Sequence, residues 1–332
     1  MNKSIIKVAL YDAKEYDIES FTNIKNRNIK YTFIDSKLTM SNISLANGHQ
    51  AICVFVNDIV SKDIIKKLSS YGIKAIFLRC AGYNNIDLSS CSKYGISVYR
   101  VPAYSPYAVA EHAFALLSTI NRRIHKAYIR TRDHNFSLIG LTGMDLYNKT
   151  IGIIGTGKIG KVMIDIAKGY HMHVLAYDPY IDTSLDVEYV SLEELFNKSD
   201  IISLHCPLTA SNRHLINNKT ISLMKKGVVI INTSRGALIN SNDLYDGLLS
   251  RQIGAACLDV YEEEANIFFT NVSNHILEDK TLSLLISLPN VIVTSHQAFL
   301  TKEALRNIAE VTNDNIMNYF VYKIKEGTNK VI

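Results

Sequence analysis

A glycine-rich hexapeptide, Gly155-Thr156-Gly157-Lys158-Ile159-Gly160, joins two segments with different predicted secondary structure. The apolar run 151–154 before it predicts a buried strand, and a helical pattern follows from about Lys161 to Ala167. A second predicted strand, 174–177, ends directly before Asp178. Strand, glycine turn, helix, strand and acid, in that order, are the parts of a βαβ unit that binds a dinucleotide.

Each glycine of the hexapeptide answers a different steric demand of such a unit. Gly155 would allow the tight turn, Gly157 would let the backbone approach a pyrophosphate, and Gly160 would let the helix pack close to the strand. The backbone N–H groups and the positive end of the helix would then meet the phosphates. The Asp178 carboxylate would accept hydrogen bonds from the adenosine ribose and would repel a 2′-phosphate, which favours NAD over NADP.

The length of the chain and its alternating pattern predict two α/β domains. The 332 residues exceed the roughly 250–300 at which a single hydrophobic core usually divides. Short apolar runs alternate with helical patterns along both halves, which favours two doubly wound, mostly parallel sheets. The runs are 7–11, 30–34, 51–56 and 75–78 in the first half, and 151–154, 174–177, 201–204, 228–232, 255–258 and 291–294 in the second.

The join between the two domains is expected near Val101-Pro102. Ser105 can cap a helix whose first residue is Pro106, an arrangement that favours helix initiation. The helical pattern from Thr301 to about Tyr322 is expected to return to the first domain, which would leave a cleft between the two. The predicted domains are residues 1–101 with 299–332, which would be discontinuous, and residues 102–298.

Composition and charge argue against several classes of protein. The formal net charge is +5 and the lysines are scattered, so no nucleic-acid partner is predicted. No apolar stretch approaches the roughly 20 residues of a membrane span, so no membrane partner is predicted. The 5 cysteines form no CxxC pair, which argues against a metal site and favours a reducing cytoplasm.

Residues that could do chemistry follow three of the predicted strands, at the edge where open α/β sheets bind ligands. Arg235 follows the strand 228–232, and its planar fork suits a carboxylate. The acidic run 259–264 follows the next strand, and His296 follows the last. A helical position favours a packing role for His112.

Each of these three features has a plainer interpretation when it is taken alone. The arginine could lie on the surface of a turn, the acidic run could be a solvated face, and the histidine could belong to the core. Taken together, they supply an anion clamp, a general acid/base and a carboxylate that orients the base. A 2-hydroxy or 2-keto acid at a nicotinamide needs those three roles.

Four segments resemble the D-isomer-specific 2-hydroxyacid dehydrogenases, in the same order and across essentially the whole chain. These segments are 155–160, 232–236, 258–261 with Glu264, and 295–299. The resemblance implies that Arg235 binds the substrate carboxylate, that His296 is the acid/base and that Glu264 is its partner. It also implies a Rossmann-type NAD domain, a smaller flavodoxin-like substrate domain, and a homodimer or homotetramer built around the helix that begins at Ser105.

The resemblance assigns further positions to cofactor and substrate. Besides the hexapeptide and Asp178, the residues implied to line the cofactor are Cys206, Pro207, Thr233, Ser234 and Asp259. The residues implied to line the substrate are Ala81, Gly82, Tyr104, Arg235, His296 and Phe299. In the reductive direction, His296 would donate a proton to the keto oxygen as NADH delivers hydride to the carbonyl carbon.

Within the family, the resemblance is greatest to members that reduce pyruvate to D-lactate in fermentation. The segments that carry it are 78–87, 101–106 and 296–301. Tyr83, where phenylalanine or valine is expected, and the unfamiliar stretch 266–277 leave the substrate side chain open. One alternative is a dehydrogenase for bulkier 2-keto acids, because one methylene contributes only about 1–3 kcal/mol of discrimination. The other is a regulatory protein that senses NAD on the same fold, against which the intact catalytic set argues.

Overall fold

Parallel strands build one sheet in each of two units. The computed structural model describes residues 5–324 and 327–332. The units are Met1–Ser105 with Phe299–Ile332, and Pro106–Ala298. Residues 1–4 and 325–326 of the predicted first domain lie outside the described residues. Because both sheets are parallel and covered by helices, the predicted fold class of two doubly wound α/β domains is confirmed.

The first unit holds a five-stranded sheet. Its strands, numbered in chain order, are β1 (Ile6–Leu10), β2 (Ile29–Phe33), β3 (Ala51–Val54), β4 (Ala75–Leu78) and β5 (Ser97–Tyr99). Its helices are α1 (Glu15–Asn23), α2 (Lys62–Ser70), α3 (Leu88–Tyr94) and α11 (Lys302–Met317). The strand order β2-β1-β3-β4-β5 is that of flavodoxin-like sheets. Ala309 and Ile316 of α11 pack with Leu10 and Phe77 in the core of this unit.

The second unit holds a seven-stranded sheet. Its strands are β6 (Thr150–Ile154), β7 (His173–Tyr177), β8 (Glu188–Tyr189), β9 (Ile201–Leu204), β10 (Val228–Asn232), β11 (Ile253–Leu258) and β12 (Val291–Val293). Their order is β12-β11-β10-β9-β6-β7-β8, so the chain direction across the sheet reverses beside β6. The carboxyl ends of the strands at such a reversal are where doubly wound sheets bind ligands.

Helices cover this second sheet on both faces. They are α4 (Pro106–Arg122), α5 (Ile124–Arg132), α6 (Lys158–Gly169), α7 (Leu192–Lys198), α8 (Asn218–Ser222), α9 (Ser241–Leu249) and α10 (Lys280–Ser287). The start of α4 at Pro106 agrees with the prediction. Among the residues that the structure describes, no helix is long and apolar enough to cross a membrane.

Neighbouring residues of the central strands pack on opposite faces of the second sheet. Ile153 and Ile231 join the core that contains α4 and α6, while Ile154 and Ile230 join the core that contains α9 and α10. Strands covered on both faces are apolar throughout, which is why their runs stand out in the sequence. The pattern does not predict β5 and β8, because strands of three and two residues are too short to show a period.

A buried guanidinium lies at the end of β4 in the first unit. Arg79 is only 2% exposed, and its Nε lies 3.1 Å from Asp17 Oδ1. Its other nitrogens donate to the carbonyl oxygens of Tyr11 at 3.1 Å and Asp12 at 2.8 Å. Its carbon Cζ stands 4.7 Å from the centre of the Phe55 ring. A single charged side chain thereby connects α1, the end of β1 and the end of β4.

Candidate active site

The glycine-rich loop between β6 and α6 has two close contacts and one open side. Gly155 has a left-handed φ of +98°, and a Cβ there would lie 2.7 Å from the backbone nitrogen of Cys206. A Cβ at Gly160 would lie 2.0 Å from the carbonyl oxygen of Gly155, so no side chain fits at either position. Gly157 caps α6 without a side-chain hydrogen bond, and a Cβ there would meet no atom within 4 Å. The first amides of α6 therefore stand beside open space, as a phosphate site requires.

Asp178 stands directly after β7 and beside the same loop. Its Oδ2 accepts a hydrogen bond from the Thr156 N–H at 2.8 Å, and the Thr156 hydroxyl accepts one from Tyr189 at 2.9 Å. Lys158 and Ile159 form the first turn of α6, and Lys158 is exposed. The structure thus brings the predicted hexapeptide and the predicted acid together at the switch point of the sheet.

A second group of predicted cofactor residues follows β9 and β10. The Ser234 hydroxyl donates to the carbonyl oxygen of Cys206 at 2.6 Å, which joins the two loops, and Pro207 follows directly. Burial raises the pKa of the Cys206 thiol to about 11, so the sulfur carries no charge at neutral pH. The buried Thr233 hydroxyl has no hydrogen-bond partner among the described residues. An orphaned polar atom of this kind fits a site in which a bound molecule supplies the partner.

The imidazole of His296 and the carboxylate of Glu264 form a hydrogen-bonded pair. His296 Nδ1 lies 2.6 Å from Glu264 Oε1, and Glu264 Oε2 accepts a hydrogen bond from the Tyr261 N–H at 2.8 Å. Since Nδ1 is engaged by the carboxylate, Nε2 is the nitrogen left for proton transfer. The Phe269 ring centre lies 5.9 Å from that of the imidazole. The sequence gives no signal for this contact, because Phe269 belongs to the unfamiliar stretch 266–277.

The acidic run after β11 separates into different environments. Glu262 binds the ring of His214, with 2.8 Å between Oε1 and Nε2. Glu263 is exposed, and Glu264 reaches His296. The plain interpretation as a solvated face is therefore correct for Glu263 only.

The turn that carries Arg235 is braced from two sides. Asn232, the buried last residue of β10, donates through Nδ2 to the Arg235 carbonyl oxygen at 2.9 Å. A Cβ at Gly236 would lie 2.0 Å from the carbonyl carbon of Tyr261, so the turn packs directly against that residue. The half-buried Arg235 side chain donates to the Ser234 carbonyl oxygen at 2.6 Å. The arginine turn therefore contacts the residue whose amide holds the carboxylate of the imidazole pair.

Asp259 is fully buried after β11 and holds the loop that carries His296. Its Oδ1 accepts hydrogen bonds from the Gln297 N–H at 2.9 Å and the Thr294 hydroxyl at 2.5 Å, and its Oδ2 accepts one from the Ala298 N–H at 2.9 Å. Its carbonyl oxygen accepts the His296 N–H at 2.7 Å. His296 has a left-handed φ of +53°, which is unfavourable for a residue with a side chain. These bonds give Asp259 a role within the protein, and its predicted contact with the cofactor stays a prediction.

Asp259→Asn should lower the thermal midpoint of unfolding, and by more at neutral than at acid pH. Burial alone would raise the pKa of Asp259, but hydrogen bonds from His112, Thr294 and the loop amides hold it below its ordinary value. Such a carboxylate contributes stability that is present above its unfolded-state pKa of about 3.9 and is lost as pH falls through the lower folded-state pKa. The difference in midpoint between the two proteins should therefore shrink from about pH 7 to about pH 3. A difference that does not vary with pH would contradict this account.

The predicted substrate residues outside the second unit lie in the first. The rings of Tyr104 and Phe299 are 6.3 Å apart in an edge-to-face arrangement, and Phe299 also lies 5.4 Å from Phe55. The Ala81-Gly82 loop is held by Arg100, whose Nη1 donates to the Ala81 carbonyl oxygen at 2.9 Å. Within the first unit, these predicted residues therefore belong to an aromatic cluster and to a short loop that Arg100 holds.

Comparison with known proteins places this arrangement in a family. The family model described as D-isomer specific 2-hydroxyacid dehydrogenase, NAD binding domain, matches residues 114–298. A D-lactate dehydrogenase of Escherichia coli K12 is 49% identical over 317 residues, which are 94% of this chain and 96% of that protein. A 2-hydroxyacid dehydrogenase homolog of Haemophilus influenzae is 48% identical over 326 residues, 97% of each chain. A solved structure of the pyruvate reductase of Chlamydomonas reinhardtii aligns with a TM-score of 0.91 at 42% identity, covering 96% of this chain and 98% of that one.

These similarities cover both units. The segment matched by the family model contains the glycine-rich loop, the Arg235 turn and the pair of His296 with Glu264. The two relatives extend the likeness over almost the whole chain. The chain therefore belongs to the D-isomer-specific 2-hydroxyacid dehydrogenases and is an NAD-dependent oxidoreductase.

Proposed function

We propose that the protein is a D-lactate dehydrogenase that reduces pyruvate to D-lactate with NADH. The observation that carries this proposal is the pair of His296 and Glu264, with 2.6 Å between Nδ1 and Oε1, beside the braced turn of Arg235. A general acid with an anionic partner and a guanidinium for a carboxylate are what reduction of a 2-keto acid requires. The name of the Escherichia coli relative supports D-lactate as one substrate, and that of the Chlamydomonas reinhardtii structure supports pyruvate as the other.

His296 would be the general acid of the reduction. Protonated at Nε2, it would give this proton to the keto oxygen while its Nδ1–H stays with Glu264. The Glu264 carboxylate would hold the ring through Nδ1 and so leave Nε2 available to the substrate.

The second unit would hold the cofactor along the carboxyl edge of its sheet. The loop 155–160 and the first amides of α6 would bind the pyrophosphate, and Asp178 would bind the adenosine ribose. When bound, NADH supplies the hydride that reduces the carbonyl carbon. The residues proposed to line its nicotinamide end are Cys206, Pro207, Thr233, Ser234 and Asp259. The orphaned Thr233 hydroxyl supports this placement, because it is buried and available as a partner.

The division of the chain supports a division of roles. We propose that residues 1–101 with 299–332 form the substrate domain and that residues 102–298 form the NAD-binding domain. Ala81, Gly82 and Phe299 of the first domain, together with Tyr104 just after the join, would contact the part of the substrate beyond its keto acid group. The contact of Tyr104 with Phe299 supports a shared apolar wall.

Arg235→Lys should weaken pyruvate binding and slow the reaction. Lysine keeps the charge but loses the planar fork that binds both oxygens of a carboxylate. Because a hydrogen bond to a charged group contributes about 1.5–3 kcal/mol, kcat/KM should fall by roughly tenfold to a hundredfold. Arg251→Lys, at an exposed position of the same unit, is the control and should leave steady-state kinetics unchanged. Equal kinetics for the two variants would remove Arg235 from the site.

Exposed apolar side chains after α4 support the proposal of a homodimer or homotetramer. They are Ile124 (54%), Tyr128 (60%), Ile129 (59%), Phe136 (71%), Leu138 (80%) and Ile139 (85%). Single exposed apolar residues are ordinary, whereas this many in one short segment are typical of an interaction surface. A second copy of the chain would bring the same surface and bury both. Sedimentation of the purified protein as a monomer would contradict this proposal.

We propose a place in cytoplasmic fermentation on chemical grounds. The five cysteines are free, which suits a reducing compartment. Reduction of pyruvate consumes NADH and returns NAD, the reaction that a fermenting cell needs. Activity that is confined to an oxidising compartment would contradict the location.

The proposed function is tested by following NADH absorbance with purified protein and a panel of 2-keto acids led by pyruvate. Rapid oxidation with pyruvate, with D-lactate as the product in a chiral analysis, is the expected result. Turnover confined to larger keto acids would keep the mechanism and replace the substrate. NADH binding without turnover of any keto acid would overturn the proposal in favour of a regulatory protein that senses NAD.

A further inference from the structure

His112 reaches from α4 to the buried carboxylate behind the catalytic loop. Its Nε2 lies 3.1 Å from the Thr294 hydroxyl and 3.3 Å from Asp259 Oδ1. The side chain is 19% exposed, so the ring is largely enclosed. The packing role predicted from its helical position is therefore incomplete, because the ring also belongs to a polar network.

The network determines which nitrogen of His112 carries a proton. The Thr294 hydroxyl donates to Asp259 Oδ1 at 2.5 Å, so its oxygen is left to accept. The carboxylate oxygen is an acceptor only. Both partners of His112 Nε2 are thus acceptors, and Nε2 must be the protonated nitrogen.

Asp259, the residue that His112 contacts, also binds the backbone of the loop that carries His296. Asp259 accepts the N–H groups of Gln297 and Ala298, and its carbonyl oxygen accepts that of His296. Three successive amides are therefore bound by one residue, and they include the left-handed position that carries the imidazole. A carboxylate left free to rotate would release this backbone geometry.

We propose that His112 is a positioning residue for the catalytic imidazole. Together with Thr294 it fixes the rotation of the Asp259 carboxylate, and the carboxylate fixes the loop that carries His296. His112 acts through these groups and takes no part in the proton transfer itself. This inference rests on the proposed function only where activity is measured.

Two substitutions of His112 by residues with side-chain amides distinguish the effect of losing the hydrogen bond from the effect of losing the ring. His112→Gln places a side-chain N–H at about the position of Nε2, whereas His112→Asn places it at about the position of Nδ1, short of Thr294 and Asp259. The control is Phe114→Leu, a substitution in the same helix as His112. It removes a buried ring that packs against Tyr170 and does not touch the network.

The first measurement is hydrogen exchange at the amides of residues 297 and 298. Loss of a hydrogen bond to a charged group should speed their exchange about tenfold or more in His112→Asn, with recovery in His112→Gln and little change in Phe114→Leu. The second measurement is kinetic. In His112→Asn, kcat for pyruvate should fall about tenfold while the dissociation constant of NADH changes less than about twofold.

The outcomes distinguish this inference from the proposed function. Unchanged exchange in His112→Asn, or an equal rise in Phe114→Leu, would overturn the positioning role. Exchange that changes as expected in a protein that reduces no keto acid would leave the network intact and overturn the function instead. Loss of NADH affinity in step with kcat would also overturn the inference, since it would mean general damage to the second unit.

Discussion

His296→Ala is expected to lower kcat for the reduction of pyruvate by about 10²–10⁴-fold, the contribution typical of a positioned general acid. Nε2 of His296 is the nitrogen left for proton transfer, because Nδ1 is engaged by Glu264. Alanine removes the acid but leaves the glycine-rich loop intact, so the dissociation constant of NADH should stay close to that of the wild type. Stopped-flow measurement of hydride transfer and fluorescence titration with NADH together give both quantities.

The chain offers a closely matched control for this experiment. His214 also has a left-handed backbone, with φ +54°, and its Nε2 lies 2.8 Å from Glu262. His214→Ala therefore removes an imidazole with a glutamate partner from the same unit and should change kcat less than about twofold. A similar loss in both variants, or near-normal turnover in His296→Ala, would show that the acid has been placed on the wrong residue.

Asp17→Ala should destabilise the first unit by about 3–5 kcal/mol, the usual cost of leaving a buried charge without its partner. Burial alone would lower the pKa of Arg79, but Asp17 and other neighbours raise it in the wild type. A guanidinium is not deprotonated inside proteins, so the variant keeps the buried charge. Both side chains of the pair are at most 5% exposed, so water cannot replace the lost carboxylate. Thermal and urea unfolding of the full chain, compared with the wild type, measure the effect.

An exposed ion pair of the same unit provides the comparison. Arg306 and Glu310 lie 3.9 Å apart at 67% and 53% side-chain exposure. Arg306→Ala should therefore cost no more than about 1 kcal/mol. The double variant of Asp17→Ala with Arg79→Met should be less destabilised than Asp17→Ala alone, since no unpaired charge remains. Equal destabilisation by Asp17→Ala and Arg306→Ala would show that loss of the buried partner costs no more stability than loss of an exposed one.

The sequence predicts the elements of this protein that depend on local pattern. The runs of β9 and β10 are apolar on both faces, so their positions are visible without knowledge of the fold. The glycine-rich loop is equally visible, because the close contacts at Gly155 and Gly160 exclude every other residue type. His296 is found from its position after the last apolar run. Local sterics and local burial are enough for all of these.

The sequence does not predict features that depend on contacts between distant parts of the chain. Arg79 follows an apolar run, and nothing near it in sequence shows that Asp17 will neutralise it inside the core. His112 looks like any helical residue until the fold brings Thr294 and Asp259 within hydrogen-bond distance. Such buried polar networks form only when several elements pack together, so their partners leave no mark in the neighbouring sequence.

The left-handed backbone at His296 makes the presence of any side chain at this position unfavourable for folding. For a residue with a side chain this conformation costs roughly 1–2 kcal/mol, while glycine adopts it freely. At this position, selection for stability alone would therefore replace a residue that can carry a proton with one that cannot. The imidazole is kept at a cost in folding free energy, and a glycine introduced here for stability would remove the proposed proton donor.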